Sequence, residues 1–189
     1  MVARTVRDVE ESSTIKSASV VADLKARGVE VISLAMGEPD FKTPDNITKA
    51  AISALRNGRT HYTQAEGIPE LREAVADKCR RETGIDCSQK DILISSSKFA
   101  LFSAMFSILD GGDVAFVPDP GWQSYGACAT LCGAKVEVYN SIRKDLTGVR
   151  GAIKNVERSG KKVSLFVLNT PSNPAGILWE ENEIRELAD

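Results

Sequence analysis

Histidine is all but missing from this chain: His61 is the only one in 189 residues. The four cysteines, Cys79, Cys87, Cys128 and Cys132, include no C-x-x-C pair, and with one histidine beside them a zinc reading is poor. A single His without a partner pattern also gives little support for base catalysis and reads as a solvated loop residue. Neither sign of charge dominates, since 24 Lys+Arg stand against 26 Asp+Glu for a net charge of −2. That balance makes no electrostatic case for nucleic acid or an anionic membrane surface. No apolar run approaches the ~20 residues of a membrane span, and the stretch Met1 to Asp8 has no apolar signal-peptide core. A Walker-type phosphate loop and a glycine fingerprint for dinucleotides are both lacking, as are internal repeats and low-complexity tracts.

What is present reads as a globular chain with 42% apolar and 26% charged residues. The thiols are expected to be buried and reduced, and the protein cytoplasmic. Ser12-Ser13 is expected to cap a helix that ends near Gly28. Residues 29–34 read as a short strand. A helix starts at Thr43 or Asp45 with Pro44 near its first position and stops at Asn57-Gly58. Another opens at Pro69 and stops at Gly84. From Asp91 onward strands alternate with helices: strands at 91–95, 114–117, 136–139 and 163–168, helices at 99–109, 125–132 and 146–158, and a last helix from Glu180. Alternation of this kind predicts an α/β fold, a mostly parallel sheet flanked by helices. Residues 1–45 stand outside it, as an arm or a piece of a second domain.

Several residues could carry chemistry. The run Asn169-Thr170-Pro171-Ser172-Asn173-Pro174-Ala175-Gly176 follows the apolar stretch 163–168, so Asn173 stands at a strand's carboxyl end on a stiff backbone. Open α/β sheets place their ligands at such ends. Ser95-Ser96-Ser97-Lys98 leads directly into a helix; free N–H groups, hydroxyls and one ammonium there make a phosphate cradle, although serines also cap helices with no ligand present. Trp122, past the turn Pro118-Asp119-Pro120-Gly121, can stack on a flat ring or pack on its own domain, and Tyr125 shares that ambiguity. Tyr62 can offer a phenol to a phosphate oxygen or be a surface loop residue. Gly37 can bring backbone N–H close to a ligand or be an ordinary turn glycine. Together the strand ends describe a site for a planar, phosphorylated heteroaromatic ligand.

The order of these motifs resembles the class I/II aminotransferases, pyridoxal 5′-phosphate enzymes of fold type I of which aspartate aminotransferase is the best known. The resemblance rests on Gly37-Glu38-Pro39-Asp40-Phe41, Tyr62 with Gly67-Ile68-Pro69-Glu70-Leu71-Arg72, Ser96-Ser97-Lys98, Pro118 to Tyr125, and Asn169 to Gly176. It implies that residues 46–189 are the first half of the cofactor-binding large domain, and that 1–45 are an N-terminal arm or part of the small domain. It implies Trp122 stacked on the pyridine ring, Asn173 on the ring's phenolic oxygen, and Ser96, Ser97 and Lys98 around the phosphate. It further implies Tyr62 reaching the phosphate in the other subunit of a homodimer, and the Gly37 backbone meeting the substrate carboxylate. The cofactor acts as an electron sink in two-step amino transfer between an amino acid and a 2-oxo acid. The phosphate turn departs from the usual Gly- or Ala-rich form, and Ala175 replaces a common Thr or Ser.

Family members are about twice this length, on the usual size of two-domain enzymes. The resemblance therefore implies an N-terminal fragment with no catalytic residue of its own, because the lysine that holds the cofactor covalently belongs to the remainder. Lys98 sits in the phosphate turn and does not take that role. This chain alone is expected to be inactive. Aspartate is the first expected amino donor and an aromatic amino acid the second. The alternatives are a carbon–sulfur lyase or cyclopropane-carboxylate synthase of the same fold, or a non-catalytic dimerisation or binding module. No metal is expected.

Overall fold

The computed structural model describes residues 2–9, 13–34 and 37–188. In chain order the elements are α1 (Arg4–Arg7), α2 (Ser13–Ala26), α3 (Asp45–Arg56), α4 (Pro69–Thr83), α5 (Ser97–Ile108), β1 (Val114–Asp119), α6 (Ser124–Leu131), β2 (Lys135–Asn140), α7 (Leu146–Arg158), β3 (Val163–Phe166) and α8 (Glu181–Ala188). They fall into two compact units, one of Ser13–Ser95 and one of Ser96–Asp189 with Met1–Ser12. The expected cap at Ser12, and Met36 of the Gly37 loop, lie outside the described residues.

In the Ser13–Ser95 unit the helix punctuation follows the sequence. Pro69 occupies the first turn of α4, where its missing N–H costs nothing, and Gly84 ends the helix in the left-handed conformation. Arg72 ties α4 to the following turn: its Nε donates to the carbonyls of Gln89 at 2.9 Å and Ile92 at 3.1 Å. Two expected strands do not form here. Residues 29–34 are irregular, with Ile32 and Leu34 almost wholly exposed. Residues 91–95 end a 3₁₀ turn (Gln89–Asp91) and run on extended from Ile92. Ile94 donates to the Glu66 carbonyl at 2.9 Å, but among the described residues no strand of this unit lies beside the segment. Apolar β-branched sequence makes a segment extended; a strand also needs a ladder partner, which local sequence does not supply.

The other unit holds a parallel sheet in the order β2-β1-β3. Strand β1 is central, and five of its six residues, Val114 to Pro118, are buried. Its register runs Val114↔Lys135 to Asp119↔Asn140 against β2, and Val114↔Val163 then Ala115↔Leu165 against β3 with one irregularity between. Alternate β1 side chains feed two cores. Ala115 joins Met105, Leu109, Cys128, Ala129 and Ala134 under α5 and α6. Val114 and Phe116 join Tyr139, Leu146, Val149 and Trp179 under α7, with Leu187 of α8 at its margin. The sheet is thus covered on both faces, the α/β arrangement that the alternation predicts. At its base, the Asp113 carboxylate accepts the Ser164 hydroxyl at 2.7 Å and the Asp110 N–H at 3.1 Å, joining the start of β1 to β3.

Candidate functional site

Topology selects one end of this sheet. The chain leaves β1 for α6 on one face and leaves β3 for α8 on the other. Adjacent parallel strands whose connections part to opposite faces open a crevice at their carboxyl ends, the general ligand position of open α/β sheets. Trp122 lies in the connection after β1, and Asn173 in the connection after β3. The start of α5 reaches the same end by length alone. Twelve helical residues cover about 18 Å, and β1, running back from the turn at Gly111-Gly112, covers about 20 Å over its six residues.

The contact that closes this arrangement joins α5 to the β1 connection. The Lys98 ammonium stands over the Trp122 indole, 5.7 Å from the ring centroid. Tyr125 meets the same indole edge-on, with centroids 5.6 Å apart and planes at 87°. Burial pushes the Tyr125 phenol up, so it stays protonated as packing rather than as a titrating group. Burial likewise pushes the Cys128 thiol up, with Lys98 pulling the other way, which leaves this thiol an inert core residue.

Trp122 is held by its own loop. A Cβ at Gly121 would collide with the Pro118 carbonyl oxygen, so glycine alone permits the tight path. Ser141, buried at the end of β2, donates its hydroxyl to the Pro120 carbonyl at 2.9 Å.

The α5 start offers unspent donors. Ser96 is the N-cap residue, its carbonyl accepting the Ala100 N–H at 2.9 Å, while its hydroxyl caps no backbone group. The first N–H groups of a helix have no partner inside it, and together with the exposed Ser96, Ser97 and Lys98 side chains they form an anion-attracting corner.

Asn173 is exposed at the tip of a laced loop. The buried Ser172 carries the lacing: its N–H donates to the Ile177 carbonyl at 2.9 Å, its hydroxyl accepts the Ile177 N–H at 2.9 Å, and its carbonyl accepts the Gly176 N–H at 2.7 Å. Gly176, at φ +67, turns the chain back. Thr170 Oγ1 accepts the Trp179 N–H at 3.0 Å at the loop's neck.

The structure therefore brings Lys98 and Trp122 into contact, with Ser96 and Ser97 beside them in sequence, and sets Asn173 at the same sheet end. Tyr62 and Gly37 belong to the other compact unit. Tyr62 is fully exposed, and Gly37 has open space where a side chain would lie. Sequence reading missed Ser141, Ser172 and Thr170 as supports. The one available signal, a small polar residue beside a proline, marks Thr170 and Ser172; no proline lies near Ser141 in the sequence.

The family model for aminotransferase class I and II matches residues 29–189. A probable aspartate/prephenate aminotransferase of Rhizobium leguminosarum is 39% identical over 183 residues, covering 96% of this chain and 45% of that protein. Its counterpart in Aquifex aeolicus is 36% identical over 189 residues, covering 99% and 48%. Among solved structures, aspartate aminotransferase from Thermus thermophilus with maleate superposes with a TM-score of 0.90 at 34% identity, over 100% of this chain and 49% of that one. The chain thus spans about half the length of the relatives it matches.

Proposed function

The chain belongs to the class I and II aminotransferase family, and on that premise we propose that it supplies the ring-stacking and phosphate-holding side of a pyridoxal 5′-phosphate site. The reaction is movement of an amino group between an amino acid, with aspartate the first candidate, and a 2-oxo acid. The names of the two relatives above support aspartate as donor.

The donor set suits the cofactor. An indole face can carry a pyridine ring by offset stacking. The unspent N–H groups of α5, the Ser96 and Ser97 hydroxyls and the Lys98 ammonium match a phosphate dianion. The Asn173 side-chain amide can donate to the phenolic oxygen. When bound, the cofactor supplies an electron sink for the carbon that loses and gains the amino group. The residues of this chain bind it, orient the ring and neutralise the phosphate. Gly37 meets the substrate carboxylate through its backbone, and Tyr62 reaches the phosphate of a second copy in a homodimer, a role its full exposure supports. No described helix is long and apolar enough to cross a membrane, and the four free thiols agree with a cytoplasmic location.

One observation carries this reading: Lys98 and Trp122 meet 5.7 Å apart at the carboxyl end of the sheet. It is tested with pyridoxamine 5′-phosphate, which cannot label lysines as an aldehyde would. Titrated into the full chain, it should quench Trp122 fluorescence saturably, and pyridoxamine lacking the phosphate should do so far more weakly. Equal quenching by both, or none by either, would contradict the proposal.

A further inference from the structure

A second lysine lies over the chain's other tryptophan. Lys144, between β2 and α7, holds its ammonium 5.6 Å from the centroid of the Trp179 ring and 2.7 Å from Glu183 Oε2 on α8. Its backbone sits at φ +48, a conformation that side-chain-bearing residues rarely adopt. Such a conformation persists only where the surroundings over-determine it. Both charged side chains are sheltered, Lys144 at 21% and Glu183 at 25% exposure, so their attraction is screened less than that of a surface pair.

The cluster grips both stems of the Asn173 loop. On the descending stem, Glu183 Oε2 also accepts the Glu180 N–H at 2.7 Å, and the buried Trp179 lies beneath the ammonium. On the ascending stem, Trp179 donates its backbone N–H to Thr170 Oγ1, and its ring meets Tyr139 at 6.4 Å. The Tyr139 hydroxyl in turn donates to the Val167 carbonyl at 2.7 Å. Between the stems, the Ser172–Ile177 bonds tie the two sides of the loop together next to its tip.

We propose that Lys144 and Glu183 form a latch that fixes the pose of Asn173 toward the phenolic oxygen of the cofactor, making both of them positioning residues for that hydrogen bond. The latch rests on the cofactor reading for its purpose, and on the contacts above for its existence. The contacts of both residues are with each other, Trp179 and the Glu180 N–H, so each acts through the loop.

The test uses the full 189-residue chain in four forms: unaltered, Lys144→Met, Glu183→Gln and Lys144→Arg. Lys144→Met keeps the aliphatic stem over Trp179, and Glu183→Gln keeps an acceptor for the Glu180 N–H. Two readouts are taken. Amide hydrogen exchange at Ile177 and Trp179 without ligand reports the latch itself. Affinity for pyridoxamine 5′-phosphate and for its analogue lacking the phenolic oxygen reports the effect on Asn173. The expected result is exchange about tenfold faster in Lys144→Met and Glu183→Gln, on the strength of a charge-assisted hydrogen bond. Affinity for the cofactor form should fall by a factor of about three or more while affinity for the analogue stays unchanged. Lys144→Arg should restore both. Unchanged exchange would overturn the latch. Faster exchange with an equal loss for both ligands, or with no loss, would overturn the link to Asn173. If the unaltered chain binds neither ligand, the cofactor reading falls and the positioning role falls with it, while the exchange data still decide whether the latch exists.

Discussion

The Lys98 ammonium and the Trp122 indole stand 5.7 Å apart, although they are 24 positions apart in the chain. Helix α5 and strand β1 are nearly equal in length, so the chain leaves the carboxyl end of the sheet at one residue and returns to it at the other. The pair sets side by side what the proposed cofactor site calls for, a cation and a flat apolar face. The candidate site depends on that return.

Lys98→Met should weaken pyridoxamine 5′-phosphate binding about tenfold at low salt, the scale of one charge-assisted contact. The gap between the two forms should narrow as salt rises, because an exposed ion pair is screened. Binding isotherms at 20 mM and 500 mM salt, concentrations chosen for about a threefold or greater change in Debye length, check this. A loss that is independent of salt would point to packing on the indole rather than charge.

Gly121→Ala should destabilise the Ser96–Asp189 unit by about 2 kcal/mol or more, because the added methyl has nowhere to go but into the Pro118 carbonyl. Urea unfolding measures it. The same substitution at Gly151, where a side chain would meet nothing, should be nearly neutral or slightly stabilising in the helical interior of α7.

Acid should loosen the base of the sheet. The Ser164 hydroxyl and the Asp110 N–H hold the Asp113 carboxyl below the usual carboxylate range, with Lys162 adding to the effect. Hydrogen bonding with Lys144, then with the Glu180 N–H, does the same for Glu183. A depressed folded value means that the unfolded chain takes up the proton first. The stabilisation is complete above the ordinary carboxylate range and is lost as pH falls through the depressed folded values. Urea midpoints measured from pH 7 down to pH 2 should decline across that window, and Asp113→Asn should flatten part of the decline.

Alkali acts through Tyr139. Burial, with a smaller contribution from Tyr125, pushes its phenol up to about 12. Here the folded value is raised, so the contribution is whole below the ordinary phenol range and is lost as pH rises toward 12. Ultraviolet titration should show a step near that pH which Tyr139→Phe removes.

Much of this was legible in the sequence because its signals are local. Pro69 and Gly84 mark the ends of α4, and Val114-Ala115-Phe116-Val117, a short apolar run set between Gly111-Gly112 and Pro118, reads as a strand buried on both faces. Trp122 and Asn173 were placed at strand ends by the turns that precede them. What failed or stayed hidden depends on distant partners. Residues 92–94 have strand composition, yet find no ladder among the described residues of their own unit. The Lys144–Glu183 pair spans 39 residues, with no local mark at either end beyond ordinary surface charge. Ser172 looks like any loop serine until the chain folds back to present Ile177.

The most direct measurement is a crystal structure of this chain soaked with pyridoxamine 5′-phosphate. The account predicts the pyridine ring stacked on Trp122, the phosphate at the start of α5 within reach of Ser96, Ser97 and Lys98, and the Asn173 side-chain amide on the phenolic oxygen. A ligand bound away from Trp122, or a ring over Trp122 with its phosphate pointing away from α5, would contradict it.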